Sequence, residues 1–211
     1  MNFDPQIVAK SNRIEQPARH GCLAETERRE SSRLRTVYRI AHVKTAEDDG
    51  LARVQNISDE GLGLQLHIPV MLGDAVTVRL TEDTIIMGRI VWTSGADCGL
   101  QLTDPLDSEA LLQNLAAQAR SVGQRPLRMP INKPAIARSE QGLQRIAVQD
   151  ISQNGMKVEH DGSFDEGLVV KVSLSSGLER RGVVRWSHDG IAGLILLEPF
   201  RAIDLSSLKS L

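Results

Sequence analysis

Tryptophan, tyrosine and phenylalanine make up only 3% of the 211 residues, so a core here must be built from Val, Ile and Leu. One Tyr and three Phe are also too few to stack successive bases, which argues against single-stranded RNA binding on a small barrel. Two cysteines, Cys22 and Cys98, cannot make a disulfide framework or a cysteine metal site, and each reads as a buried or idle thiol. The net charge of -2 gives no global attraction to DNA or to acidic membranes. Any anion site must come from local clustering. No apolar run is long enough for membrane insertion, and MNFDPQIVAKSNRIEQ lacks the apolar stretch of a secretory signal. A cytoplasmic setting is expected.

Catalytic signatures are missing too. His20, His42, His67, His160 and His188 show no ligand spacing such as H-E-x-x-H. No Gly-rich phosphate loop precedes a helix, and there is no nucleophile elbow. The expectation is a chain that is not an enzyme and needs no cofactor or metal.

What the chain does have is a repeat. Residues 56–61 read NISDEG and residues 150–155 read DISQNG, 94 positions apart. At that offset Gly73 falls on Gly167, and Val76, Val78 and Leu80 fall on Val170, Val172 and Leu174. Gly88 falls on Gly182, Trp92 on Trp186, and Gly99, Leu100, Leu102 and Pro105 on Gly193, Leu194, Leu196 and Pro199. No gap is needed, and both of the chain's tryptophans obey the register. The chain therefore reads as two copies of one small domain.

Within each copy the hydrophobic period is two. Leu62, Leu64, Leu66 and Ile68 share one face, and Val76, Val78 and Leu80 share another. Half-buried antiparallel strands are predicted over these runs and near 36–44, 51–57, 85–93 and 98–103, in a small barrel or sandwich. After Asp107, Leu111, Leu112 and Leu115 recur at helical spacing, with Gly123 as the stop. The second copy closes on a shorter Leu-bearing stretch, 204–211. Residues 1–27 show no steady period and are expected to be mobile.

The NISDEG-type stretch sits between two strands and has an ordinary turn reading. Asn56 or Asp150 and Ser58 or Ser152 would accept backbone N–H bonds, and Gly61 or Gly155 would supply a positive φ. Upstream, however, residues 27–35 read ERRESSRLR, four arginines in nine positions of a near-neutral chain. A solvated charged segment is the plain reading, with Glu25, Glu27 and Glu30 beside the arginines. Yet the planar guanidinium fork suits phosphate and the guanine edge, and its flat face stacks on bases.

Arg29-x-x-x-Arg33, followed by Asn56-x-Ser58-x-x-Gly61 on a β scaffold, resembles the PilZ domain. The likeness covers about residues 28–118, and the second copy, about 125–211, shares the later motif and the strand pattern. The resemblance implies a mainly β fold: two tandem small antiparallel barrels of about six strands, with a helix after each. It divides the chain into 1–27, 28–122 and 123–211. It also implies a bacterial receptor for cyclic di-GMP. Arg29 and Arg33 would bind phosphate and guanine, with Arg28 just before them. Asn56, Ser58 and Gly61 would meet a guanine edge, with Asn in place of the commoner Asp.

In copy two, Asp150, Ser152 and Gly155 keep the later motif. The nearest arginines, Arg125 and Arg128, are three apart rather than four, and the chain offset places Gly123 and Leu127 where Arg29 and Arg33 stand in copy one. A second site is the weaker expectation. Arg89, Gln101 and Thr103 become Val183, Ile195 and Leu197, which suggests a covered face: an interdomain contact, a contact with the linking helix, or a homodimer. The functional expectation is a sensor that signals by conformational change to an unidentified protein partner. The alternative is a non-binding adaptor of the same fold.

Overall fold

The computed structural model describes residues 37–120 and 126–211. The first unit runs β1 Arg39–Lys44, β2 Asp49–Ile57, β3 Gly61–Gln65, β4 Ala75–Arg79, β5 Ile85–Ser94 and β6 Asp97–Leu102, then helix α1 Ser108–Arg120. The second runs β7 Met129–Ser139, β8 Gly142–Ser152, β9 Gly155–Glu159, β10 Val169–Leu174, β11 Glu179–His188 and β12 Ile191–Leu196. Both are closed antiparallel barrels, ordered β1-β2-β3-β6-β5-β4 and β10-β11-β12-β9-β8-β7. The choice between barrel and sandwich is thus settled in favour of the barrel. Closure comes from β1 pairing β4 (His42 opposite Arg79) and β7 pairing β10 (Lys171 opposite Arg138). It leaves no sheet edge open to other chains.

The 94-residue offset is a structural register. β3, β5, β6 and the bulges of the first barrel recur in the second at that spacing. Alternate residues of each strand fill the cores: Val76, Val78, Leu62, Leu64 and Leu100 in one, Val170, Val172, Met156, Val158 and Leu194 in the other. The aromatic-poor composition is met with aliphatic layers, and among the described residues only Phe164 and Phe200 add buried phenyl rings, both in the second core.

Helix α1 forms as expected. The Asp107 carboxylate accepts the Ala110 N–H at 2.9 Å, and Leu115 is buried with Leu111 and Leu112 packed beside it. The helix expected after the second barrel is not there. That stretch is a single 3-10 turn, Ala202–Leu205, followed by irregular chain. Leu205, Leu208 and Leu211 fill the second core from that chain, so their apolar spacing serves packing without a helix. The mobility expected of residues 1–27 and the stop expected at Gly123 lie outside the described residues.

Within the chain the expected covered face is open. Ile195 and Leu197 are 47% and 52% exposed, and Val183, which pairs with Ile195, is half-buried. Among the described residues, neither the other barrel nor α1 covers them, so the interdomain contact is not made there.

Buried histidines give the fold a pH dependence. Burial holds His42 below the ordinary imidazole value, although Asp49, 3.1 Å away, pulls the other way. Burial also lowers His160, whose Nδ1 accepts the Gly162 and Phe164 N–H groups at 3.1 and 3.2 Å. The unfolded chain therefore binds protons that these two groups refuse. Their stabilisation is complete above the unfolded value of about 6.5 and is lost as pH falls from there through the folded values. Urea melts at pH 8 and pH 5.5 should show lower stability at the acid end, with a smaller difference in His160→Gln. A melt unchanged between the two would contradict the assignment.

Candidate ligand site at the repeated turn

Each motif turn is set up by a bulge. The β2–β3 register shifts between Val54 and Asn56, and the β8–β9 register shifts between Val148 and Asp150. The extra residue is glutamine both times, Gln55 and Gln149. The bulge leaves Val54 and Ile57 both in the core and turns Asn56 out to solvent. Asn56 lies opposite Gly63, and a Cβ there would be 2.6 Å from the amide atoms, so the glycine gives the side chain room to lie flat on β3.

The turn is closed by the serine, with the sense opposite to that expected. Ser58 Oγ donates to the Gly61 carbonyl at 3.2 Å, and Ser152 Oγ donates to the Gly155 carbonyl at 3.2 Å. Neither Asn56 nor Asp150 accepts the predicted local N–H bond among the described residues. Gly61 and Gly155 are not among the positive-φ glycines, which corrects the conformational reading. They are needed for space: a Cβ would stand 3.1 Å from the Leu100 carbonyl oxygen at Gly61 and 2.6 Å from that of Leu194 at Gly155.

The two turns differ in what surrounds them. In the first, Asp59 and Glu60 fill the variable positions. Asp59 accepts the Ser108 hydroxyl at 2.5 Å and its N–H at 3.1 Å, and these bonds hold its carboxyl below the usual range. That ties the turn to the start of α1. In the second, Gln153 and Asn154 stand there, and both turns keep the same backbone bonds to the chain beyond the last strand. Residues 37–120 carry twelve acidic and six basic side chains, and residues 126–211 carry ten and eleven. The second turn is therefore the less hostile to an anion.

Arg128 approaches that second turn. Its guanidinium meets Asp150 at 2.5 Å, and a Cβ at Gly155 would be 3.9 Å from it. Lys157 lies opposite Asp150, where the first barrel has Gly63. The structure thus brings Arg128, Asp150, Ser152 and Gly155 together, and likewise Asn56, Ser58 and Gly61. Arg28, Arg29, Arg33 and Arg125 lie outside the described residues. Beside the second turn is a cleft of about 580 Å³, lined in part by Tyr38, Arg39, Glu82, Leu127, Gln153 and Asn154.

Sequence reasoning missed the two bulge glutamines and the pairing of Arg128 with Asp150. The first was visible as an identity at the 94-residue offset. The second was obscured because β7 carries an extra irregularity between Pro130 and Lys133, which moves its first residues, and Arg128 before them, against β8.

No group of His, Cys, Asp and Glu among the described residues could hold a metal ion. No helix there is long and apolar enough to cross a membrane. Cys98 is buried, and burial with the nearby Asp97 pushes its thiol up to about 11. Titration of the native protein with a thiol reagent at pH 8 should therefore leave Cys98 unmodified until denaturant is added. Rapid native labelling of Cys98 would contradict this.

The PilZ domain family model matches residues 27–118 and again 123–208. The chain belongs to the PilZ domain family, with two copies of the domain in tandem. Solved structures similar to this chain include three. PlzA of Borreliella burgdorferi, in complex with c-di-GMP, is 11% identical over 78% of this chain and 84% of its own, with a TM-score of 0.32. The Bacillus subtilis inhibitor of motility MotI/DgrA is 16% identical over 80% and 91%, with a TM-score of 0.31. The K. pneumonia MrkH–c-di-GMP complex is 11% identical over 79% and 81%, with a TM-score of 0.29. No curated protein matches the sequence.

Proposed function

We propose that this chain is a cyclic di-GMP receptor, without chemistry of its own, which passes the binding event to a protein partner by conformational change. The observation that carries the reading is the motif turn, built twice with the same bulge, the same serine bond and the same glycine clearance. PilZ domains bind cyclic di-GMP through such a turn together with an upstream arginine pair. The ligand presents two phosphates and two guanines. Arg29 and Arg33, with Arg28 before them, would take phosphate oxygens and the guanine edge or face. Asn56, Ser58 and Gly61 would supply the opposing wall. The two units would meet near residue 122, in a cytoplasmic protein.

A second reading has its own support. Arg128 already lies against Asp150, beside the neutral Gln153–Asn154 turn and the cleft. Arg125, Arg128, Asp150, Ser152 and Gly155 would then form a second site. Calorimetric titration of the full chain with cyclic di-GMP tests both readings. Binding is expected, and the same titration of Arg29→Ala and Arg128→Ala reports whether one turn or both is used. No heat and no binding by equilibrium dialysis would favour the adaptor, which acts through protein contact alone.

A further inference from the structure

The two barrels touch through an element that the motifs do not involve. The tip of the β1–β2 hairpin, residues 45–50, meets the segment after the 3-10 turn, Ser206–Lys209. The Asp48 carboxylate accepts the Ser207 hydroxyl at 2.5 Å through one oxygen and the Lys209 N–H at 3.0 Å through the other. The Asp49 carbonyl accepts the Leu208 N–H at 2.7 Å. Lys209 reaches Glu47 at 3.3 Å, and its carbonyl accepts Lys133 Nζ from β7 at 3.1 Å.

The fit depends on a missing side chain. A Cβ at Gly50 would lie 2.3 Å from the Ser206 carbonyl oxygen, so only glycine lets the segment cross β2 this closely. Next to it, Leu51 belongs by sequence to the first barrel but is 2% exposed and packs in the second barrel's core, with Ile40 of β1 against the same cluster. Leu205, Leu208 and Leu211 lie in that core too. The equivalent stretch after the first barrel is α1, which packs on its own barrel.

We propose that this segment is a clasp that sets the orientation of the two barrels and makes them one mechanical body. The hairpin tip, the Gly50 crossing and the shared Leu51 fix that orientation. β2 then starts at the clasp with Asp49 and reaches the first motif with Asn56, roughly 23 Å away at about 3.3 Å per residue. Opening the clasp is the motion by which the barrels part, and it withdraws Leu51 from the second core.

The proposal does not depend on the ligand, and its test uses the full chain without one. Two variants open the clasp by different means: Asp48→Ala removes the acceptor of Ser207 and Lys209, and Gly50→Val drives a side chain into the Ser206 carbonyl. Hydrogen exchange at Leu208 and Lys209 should speed up by roughly tenfold or more, as expected when two hydrogen bonds are removed. Small-angle scattering should show a larger radius of gyration, and calorimetry should resolve one unfolding transition into two. If exchange accelerates but scattering and the single transition are unchanged, the clasp does not set the orientation. If both variants keep Leu208 and Lys209 protected, these contacts do not hold the segment, and the proposal fails as well. Should Gly50→Val unfold the first barrel, Asp48→Ala still decides, because it changes no core residue.

Discussion

Gly88→Ala is expected to destabilise the N-terminal barrel by about 1–3 kcal/mol, through overpacking against rigid backbone. Gly88 sits inside β5, between Val76 on β4 and Leu102 on β6. A Cβ there would lie 2.2 Å from the Gln101 carbonyl oxygen and 2.8 Å from the Leu100 side chain. The carbonyl belongs to a barrel strand and cannot swing aside, so β5 and β6 would have to separate. Gly182, its counterpart, has 2.8 Å to the Ile195 carbonyl, and Gly182→Ala should cost less. Gly99 offers a contrast. A Cβ there would meet the Trp92 ring, 1.9 Å from Nε1, and that ring is 46% exposed and free to move outward. Gly99→Ala should therefore change tryptophan fluorescence more than stability. Urea denaturation ranks the three, and a Gly88→Ala midpoint equal to that of the parent would refute the packing argument.

The second large effect concerns the ligand. Arg29→Ala should weaken cyclic di-GMP binding by about 2–5 kcal/mol, or roughly thirty-fold to a few thousand-fold, as when one partner of a desolvated, hydrogen-bonded charge pair is truncated. Arg128→Ala should do the same to a second binding event, if there is one, and leave the first unchanged. The exposed Arg128–Asp150 pair contributes little stability by itself, so the variant should melt as the parent does. Calorimetry on both variants separates the turns. Unchanged affinity in Arg29→Ala would remove the N-terminal arginine pair from the site. Unchanged affinity in both would remove the receptor reading built on these arginines.

Much of the fold could be read from the sequence because its signals are local and doubled. Strand periodicity of two survives in each copy, and paired landmarks such as Trp92 and Trp186 mark equivalent bulges that fold the rings over Gly99 and Gly193. The missing second helix could not be read, because Leu205, Leu208 and Leu211 have helical spacing yet pack from irregular chain. The role of Gly61 was misjudged for a related reason. A glycine needed for φ and one needed for clearance look alike until the neighbouring strand is in place. The clasp was invisible because Asp48 and Ser207 are 159 positions apart with no motif to join them. At the candidate site, the turn residues were legible, whereas the approach of Arg128 depended on an irregularity in β7 that spacing alone concealed.

Amide chemical-shift mapping with cyclic di-GMP probes the dinucleotide assignment most closely. Addition of the ligand should move the resonances of residues 28–33 and 56–63 together, at one saturating concentration, with those of 150–157 joining if the second turn is occupied. Saturable shifts confined to surfaces away from both turns, with Ser58 and Ser152 unmoved, would contradict it.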